Sequence, residues 1–237
     1  SHSYSQSSAL FQIIPENSCN NGFFMILTAF LTAVMMQALQ QLQKEQVPDI
    51  RRRKAIKVLI PVNLRKLFPS RTLRNFAMYT TPEIQPKLGW YEFSEICKVV
   101  HHRMGLEITP KHMSTMIATN ISSEKLLAVR IIPLFLKNII MKAIFDSVGE
   151  RKSCLSMSNL GQVELPEVMK PYVARFDFIL GVQATAPYNC GILSYGDDLY
   201  INFIRNIRQS ALERHFYRVL QEMGIPVQVQ SNHTERS

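Results

Sequence analysis

Hydrophobic residues occupy every second position at Ile56, Val58, Ile60 and Val62, with Lys57, Leu59 and Pro61 between them. This alternation predicts a β-strand with one β-branched face. Pro61 has no backbone donor and is expected at a sheet edge or where pairing stops. Upstream, residues 22–42 form an apolar run with no charge until Lys44, near the lower length limit for a membrane span. Thr28, Thr32, Gln37, Gln40 and Gln41 interrupt the run and its last third turns amphipathic, so a helix packed inside a protein core is the expectation and a membrane role is not. Val47, Pro48 and Asp49 end it. Beyond the central strand, residues 76–80 read as a second strand and 81–89, with two prolines, as a loop. Phe93, Ile96, Cys97, Val100 and Met104 recur at helical spacing up to Gly105. Thr109 before Pro110 supplies the N-cap and first-turn proline of the next helix.

The second half alternates strands and helices less regularly. Ser122, Ser123 and Glu124 read as a cap for a further helical region. Residues 133–148 are apolar nearly all round, which calls for core burial, a missing partner domain or a membrane surface. Residues 153–160 alternate small polar groups with Leu155 and Met157 before Gly161, a strand pattern that lets another backbone or a ligand come close. Residues 176–182 read as a strand, and 189–195 with 199–206 as a hairpin around Gly196 and Asp197, so the sheet is not purely parallel. Ser210 and Glu213 fit a capping box ahead of Leu212, Phe216, Val219, Leu220 and Met223 on one helical face, with Gly224 as terminator. Val227 and Val229 make a last short strand. The fold class expected is α/β (α+β), a mixed β-sheet flanked by helices. Residues 1–21 are expected to be irregular and outside the fold, 22–232 to form one domain, and 233–237 a tail.

Composition narrows the function classes. With 237 residues, 46% of them hydrophobic, the chain is long enough for one sizeable core or two small domains. The formal net charge of +9 is densest at Arg51, Arg52, Arg53 and Lys54, followed by Lys57, Arg65, Lys66, Arg71 and Arg74. Such a run is a solvated face or an attractor of phosphates from a nucleotide-containing cofactor or nucleic acid. No aromatics interleave with these cations and no nucleic-acid-binding signature is present, so nucleic acid is not the expected partner. Cys19, Cys97, Cys154 and Cys190 show neither metal-type pairing nor a short disulfide framework, which fits a reducing cytoplasm. No phosphate-binding loop, dinucleotide fingerprint, metal-ligand cluster or nucleophile elbow occurs. Asp197 and Asp198 are a carboxylate pair, but in a turn, where aspartates serve local geometry.

Asn63 and Arg65, just past the central strand, stand where side chains can reach a cleft, and Ser158, Asn159 and Gly161 stand at the end of the later strand. Each also has a purely structural reading, as a turn, a surface cation or a satisfied strand residue. The stretches that contain them carry a resemblance. PVNLRKLFPS over 61–70 with LRNF over 73–76, VGERKSCLSMSNLG over 148–161, RFDFILG over 175–181 and NCGILSYGDDLYINFIRN over 189–206 resemble the C-terminal half of alcohol acetyltransferase-like proteins. These belong to the superfamily of CoA-dependent acyltransferases and peptide-synthetase condensation domains, with a chloramphenicol acetyltransferase-like fold. The resemblance implies one half-domain lining a channel between two halves. It implies acyl-CoA (acetyl-CoA) as co-substrate, a hydroxyl or amine compound as acceptor, and no metal. The five residues become substrate-channel or support positions, with no catalytic residue assigned. The superfamily's catalytic signature, His-His-x-x-x-Asp-Gly, is departed from at His101 and His102, because Leu106 and Glu107 stand where Asp and Gly belong. The base is then expected on an N-terminal half-domain partner. The competing expectation is a non-enzymatic half-domain acting as a protein-interaction module.

Overall fold

The computed structural model describes residues 5–12, 21–125, 138, 153–181 and 186–231. Its strands are β1 (Ser5–Gln12), β2 (Ile56–Asn63), β3 (Ala77–Thr80), β4 (Glu83–Ile84), β5 (Leu155–Gln162), β6 (Tyr188–Tyr195), β7 (Asp198–Arg205) and β8 (Val227–Ser231). Its helices are α1 (Asn21–Gln46), α2 (Phe93–Glu107), α3 (Pro110–Lys125) and α4 (Ala211–Glu222). The strands form one mixed sheet in the order β3-β2-β5-β6-β7-β1-β8, with β4 also pairing β2. Only β2 with β5 and β5 with β6 run parallel.

Helix α1 lies against the sheet and contacts both α2 and α4. Its core positions Leu31, Ala33, Val34, Met35, Met36 and Ala38 are buried, and they meet Ile56, Val58 and Ile60 of β2, Met157 of β5 and Cys190 and Ile192 of β6 in one cluster. Residues 25–46 have the mean hydropathy of a membrane span, 1.4, and 61% of their most apolar window is buried within the fold. The interrupting polar residues have local duties. Thr32 donates to the Thr28 carbonyl, and the Gln40 amide both donates to and accepts from the Tyr91 backbone, clamping the loop before α2.

The hydroxyl of Thr109 accepts from His112 N–H at the start of α3, as the sequence predicts. Gly196, with φ of 61°, opens the two-residue β6–β7 turn, and Gly224, with φ of 75°, closes α4, where Ile225 N–H reaches back to the Leu220 carbonyl.

Four expectations are corrected. The segment 1–21 is not irregular throughout, because Ser5–Gln12 forms β1 between β7 and β8. Residues 176–181 are not a ladder strand but an extended strap laid across the sheet. Ser122–Glu124 sits inside α3 rather than at a helix start. Ser210 precedes α4 without a side-chain cap, and Glu213, the other half of the expected box, turns inward to a buried ion pair with Arg205. The apolar stretch 133–148 lies outside the described residues, apart from exposed Asn138.

Candidate functional site

The site grows from the point where β2 and β5 part. Backbone N–H groups at even positions of β2 point toward β3 and β4: Val58 donates to Pro82 and Leu64 to Phe76. Odd positions point toward β5, where the Lys57 carbonyl accepts from Cys154. Parallel pairing ends at Leu59 with Ser156, so the missing donor of Pro61 falls on the β5 side just past the last paired residue. Both strands continue beyond this point, β2 to Asn63 and β5 to Gln162. Their C-terminal ends therefore share one edge of the sheet without being zipped together.

The opposite faces of β5 do different work. Met157 joins the helix-side core, and Asn159 follows it to that side, where its amide donates to the Thr28 hydroxyl at 3.0 Å. The Asn159 side-chain carbonyl oxygen accepts from Gly161 N–H at 2.9 Å, and Gly161, with φ of 84°, sits in the irregularity that ends the β5–β6 ladder. Ser156 and Ser158 alternate to the other face, half-buried, next to Asn189 and Gly191 of β6.

Part of that second face, over β6, is covered. Residues 173–181 cross it as the strap. Tyr195 donates its hydroxyl to the Val173 carbonyl at 3.1 Å, and the Asn189 amide donates to the Gly181 carbonyl at 2.7 Å. Arg175 holds Asp177 and Gln230, and the ring of Phe176 meets Tyr195 edge-on at 5.0 Å. The Phe178 carbonyl passes so close to Gly191 that a Cβ there would lie 2.0 Å from its oxygen. Under the strap Asn189 and Asn202 are buried, and the Asn189 side-chain carbonyl oxygen has no hydrogen-bond partner among the described residues. Beside the strap, Leu59, Pro61, Ser156 and Ser158 are only half-buried. They form a partly accessible strip on the β2–β5 side that the strap does not cross, with exposed Leu160 at its end.

The five candidates thus separate. Ser158 lies on the strip. Asn159 and Gly161 shape the end of β5 and tie it to α1. Asn63 accepts from Arg65 N–H at 3.0 Å and caps a single 3-10 turn. The guanidinium of Arg65 donates to the carbonyls of Thr72 and Arg74, at 2.9 and 2.6 Å, and so closes the loop between β2 and β3. The sequence reading missed the strap, although a glycine within a strand, Gly191, was a signal that a backbone crosses there.

His101 and His102 are exposed on the outer face of α2. His102 lines a shallow groove of about 530 Å³ with Glu83, Lys98, Val99, Arg103 and Leu106. Burial pushes up the thiols of Cys97, Cys154 and Cys190, so none is an activated nucleophile at neutral pH. The strip offers hydroxyls and an apolar floor.

No family model and no curated protein matches the sequence. Solved structures match its fold. The starter condensation domain of rhizomide synthetase RzmA superposes with a TM-score of 0.52 at 12% identity, over 94% of this chain and 45% of that one. A doubly substituted form of the same domain, in complex with C8-CoA, gives 0.52 at 13%, over 93% and 44%. TRI3 trichothecene 15-O-acetyltransferase from Fusarium sporotrichioides gives 0.51 at 9%, over 93% and 47%. The fold is that of the condensation domains and CoA-dependent acyltransferases. The chain spans a little under half the length of these similar structures.

Proposed function

We propose that this chain is the C-terminal half of a CoA-dependent acyltransferase of alcohol O-acetyltransferase type, and that the β2–β5 strip is one wall of its substrate channel. The observation that carries this reading is the coverage: nearly all of this chain matches less than half of each similar structure. One similar structure holds C8-CoA and another is an O-acetyltransferase, which supports an acyl-CoA donor and a hydroxyl or amine acceptor. Acyl transfer needs a base to take the acceptor proton and a donor for the oxyanion. In this reading the complementary half supplies the base, while Ser158 and the floor of Leu59 and Pro61 orient the thioester.

The test is free-thiol release from acetyl-CoA by the purified chain with a panel of alcohols and amines. Thioester binding without acceptor-dependent release supports a wall awaiting its catalytic half. Acceptor-dependent release by this chain alone means that a base lies within it and overturns the reading. A second reading, a protein-interaction module, is favoured by the exposed apolar side chains of Val168, Met169, Tyr172 and Ile179, at 78%, 47%, 88% and 55%. Absence of any thioester binding would select it.

A further inference from the structure

The loop that joins β2 to β3 has a charge pattern that packing does not require. From residue 58 to residue 82 the sequence contains no Asp or Glu and four cations, Arg65, Lys66, Arg71 and Arg74, all exposed. The loop is not slack. Leu64 is buried in a satellite core with Val62 and Met113, and Leu67, Phe68 and Phe76 pack against that core. The Arg65 guanidinium spans the carbonyls of Thr72 and Arg74, Thr72 N–H donates to the Ser70 hydroxyl, and Arg74 N–H donates to the Thr72 hydroxyl. Leu64, Leu67, Phe68 and Phe76 are turned in, the Thr72 and Arg74 carbonyls are tied back, and Arg71 and Arg74 stand exposed on a braced turn. Neither takes part in an ion pair among the described residues.

Topology places this loop at the candidate wall. β2 and β5 are parallel, so the loop that leaves β2 lies at the same edge as the end of β5 that carries Ser158. Groups presented on a fixed loop bind an anion without the cost of ordering the backbone, leaving only the side-chain freedom of the arginines to be lost. Arginine suits phosphate because its planar donors match two oxygens at once.

We infer that Arg71 and Arg74 form a docking site for the phosphates of the nucleotide end of an acyl-CoA, leaving its thioester arm to run from this loop toward the β2–β5 strip. The inference rests on the acyl-CoA reading above and assigns residues to the part of the ligand farthest from the reacting carbon. Arg65 has the separate role of bracing the loop.

The experiment is calorimetric titration of the full chain with acetyl-CoA, adenosine 3′,5′-bisphosphate and S-acetylpantetheine. The expected result is that acetyl-CoA and the bisphosphate bind more weakly as salt rises, while S-acetylpantetheine binds more weakly than acetyl-CoA and is insensitive to salt. Arg71→Ala and Arg74→Ala each weaken the two phosphate ligands by about fivefold, the upper range for an exposed ion pair, without changing S-acetylpantetheine. The double charge reversal Arg71→Glu/Arg74→Glu abolishes bisphosphate binding. Because both side chains are exposed, a thermal melt of each variant checks that the fold is unchanged.

Equal affinity of acetyl-CoA and S-acetylpantetheine, unmoved by these variants, overturns this site and leaves the acyltransferase reading standing. No binding of any of the three overturns both. Exposed Leu73, at 102%, suggests a different occupant. Arginine-dependent co-sedimentation with phosphatidylserine vesicles, with no effect of the bisphosphate, would assign the loop to a lipid surface and overturn the proposal.

Discussion

Replacing Gly191 by alanine puts a Cβ 2.0 Å from the Phe178 carbonyl oxygen and 3.1 Å from its carbonyl carbon. Backbone blocks the way on both sides, since Gly191 is paired in the ladder with Ser158 and Asn202. The strap must therefore retreat by about 1 Å or more. That retreat strains the Asn189–Gly181 and Tyr195–Val173 hydrogen bonds, at 2.7 and 3.1 Å, each contributing about 1 kcal/mol. The edge-on contact of Phe176 with Tyr195 at 5.0 Å adds about 0.5–1.5 kcal/mol. The expected destabilisation is about 2–4 kcal/mol, or roughly 5–15 °C in Tm for a domain of this size. Urea melts and limited proteolysis across residues 173–181 measure it. Gly181→Ala is the control, because a Cβ there meets nothing within 4 Å, and it should stay within about 0.5 kcal/mol of the parent. If Gly191→Ala matches that control in stability and strap cleavage, the strap does not lie on Gly191 and the boundary of the strip is wrong.

Three further outcomes follow from buried polar groups. Glu213→Ala leaves Arg205 buried without its carboxylate, although Arg205 Nε still donates to the Ile207 carbonyl; a loss of about 3–5 kcal/mol in urea unfolding is expected, and a loss below about 1 kcal/mol would contradict the packing of α4. Burial raises the Cys190 thiol and the Tyr217 hydroxyl above their ordinary values of 9.0 and 10.0, so above those values the unfolded chain releases protons that the folded chain keeps. Stability is then fully present below about pH 9 and falls as pH rises, by about 1.4 kcal/mol per pH unit per group; Cys190→Ala should flatten the first part of that slope, and an unchanged slope would refute the assignment. Asn159→Ala removes the tie to Thr28 and the acceptor for Gly161 N–H; it should cost about 1–2 kcal/mol without changing thioester affinity, whereas lost affinity at unchanged stability would make Asn159 a ligand group.

Much of the fold was legible because local pattern and tertiary demand agree. The alternation from Ile56 to Val62 predicted both the strand and its buried face, and Pro61 marked where pairing with β5 stops. Leu212, Phe216, Val219, Leu220 and Met223 predicted the inward face of α4; the first four are buried, while Met223 at its end is 38% exposed. The failures are places where a distant residue wins. Glu213 fits a local capping box, yet a buried guanidinium eight residues earlier holds it more strongly than a backbone N–H would. β1 was illegible because its Ser- and Gln-rich sequence lacks alternation, and its pairing depends on the free edge that β7 offers. Residues 176–181 have strand-like composition, but only knowledge of what Gly191 faces reveals that they cross the sheet. At the candidate site, the polar exits of β2 and β5 were found by sequence. What each polar group does was not, since Arg65 answers to the carbonyls of Thr72 and Arg74, and Asn159 to a hydroxyl 131 residues away.

The proposal makes the partly accessible β2–β5 strip a thioester-binding wall. Amide chemical-shift mapping of the isotope-labelled chain during titration with octanoyl-CoA tests it most directly. The account predicts changes concentrated at Leu59, Ser156 and Ser158 and at the neighbouring edge of the strap, with His102, Lys98 and Leu106 on α2 unmoved. Changes centred on the α2 groove, with the strip silent, would contradict it.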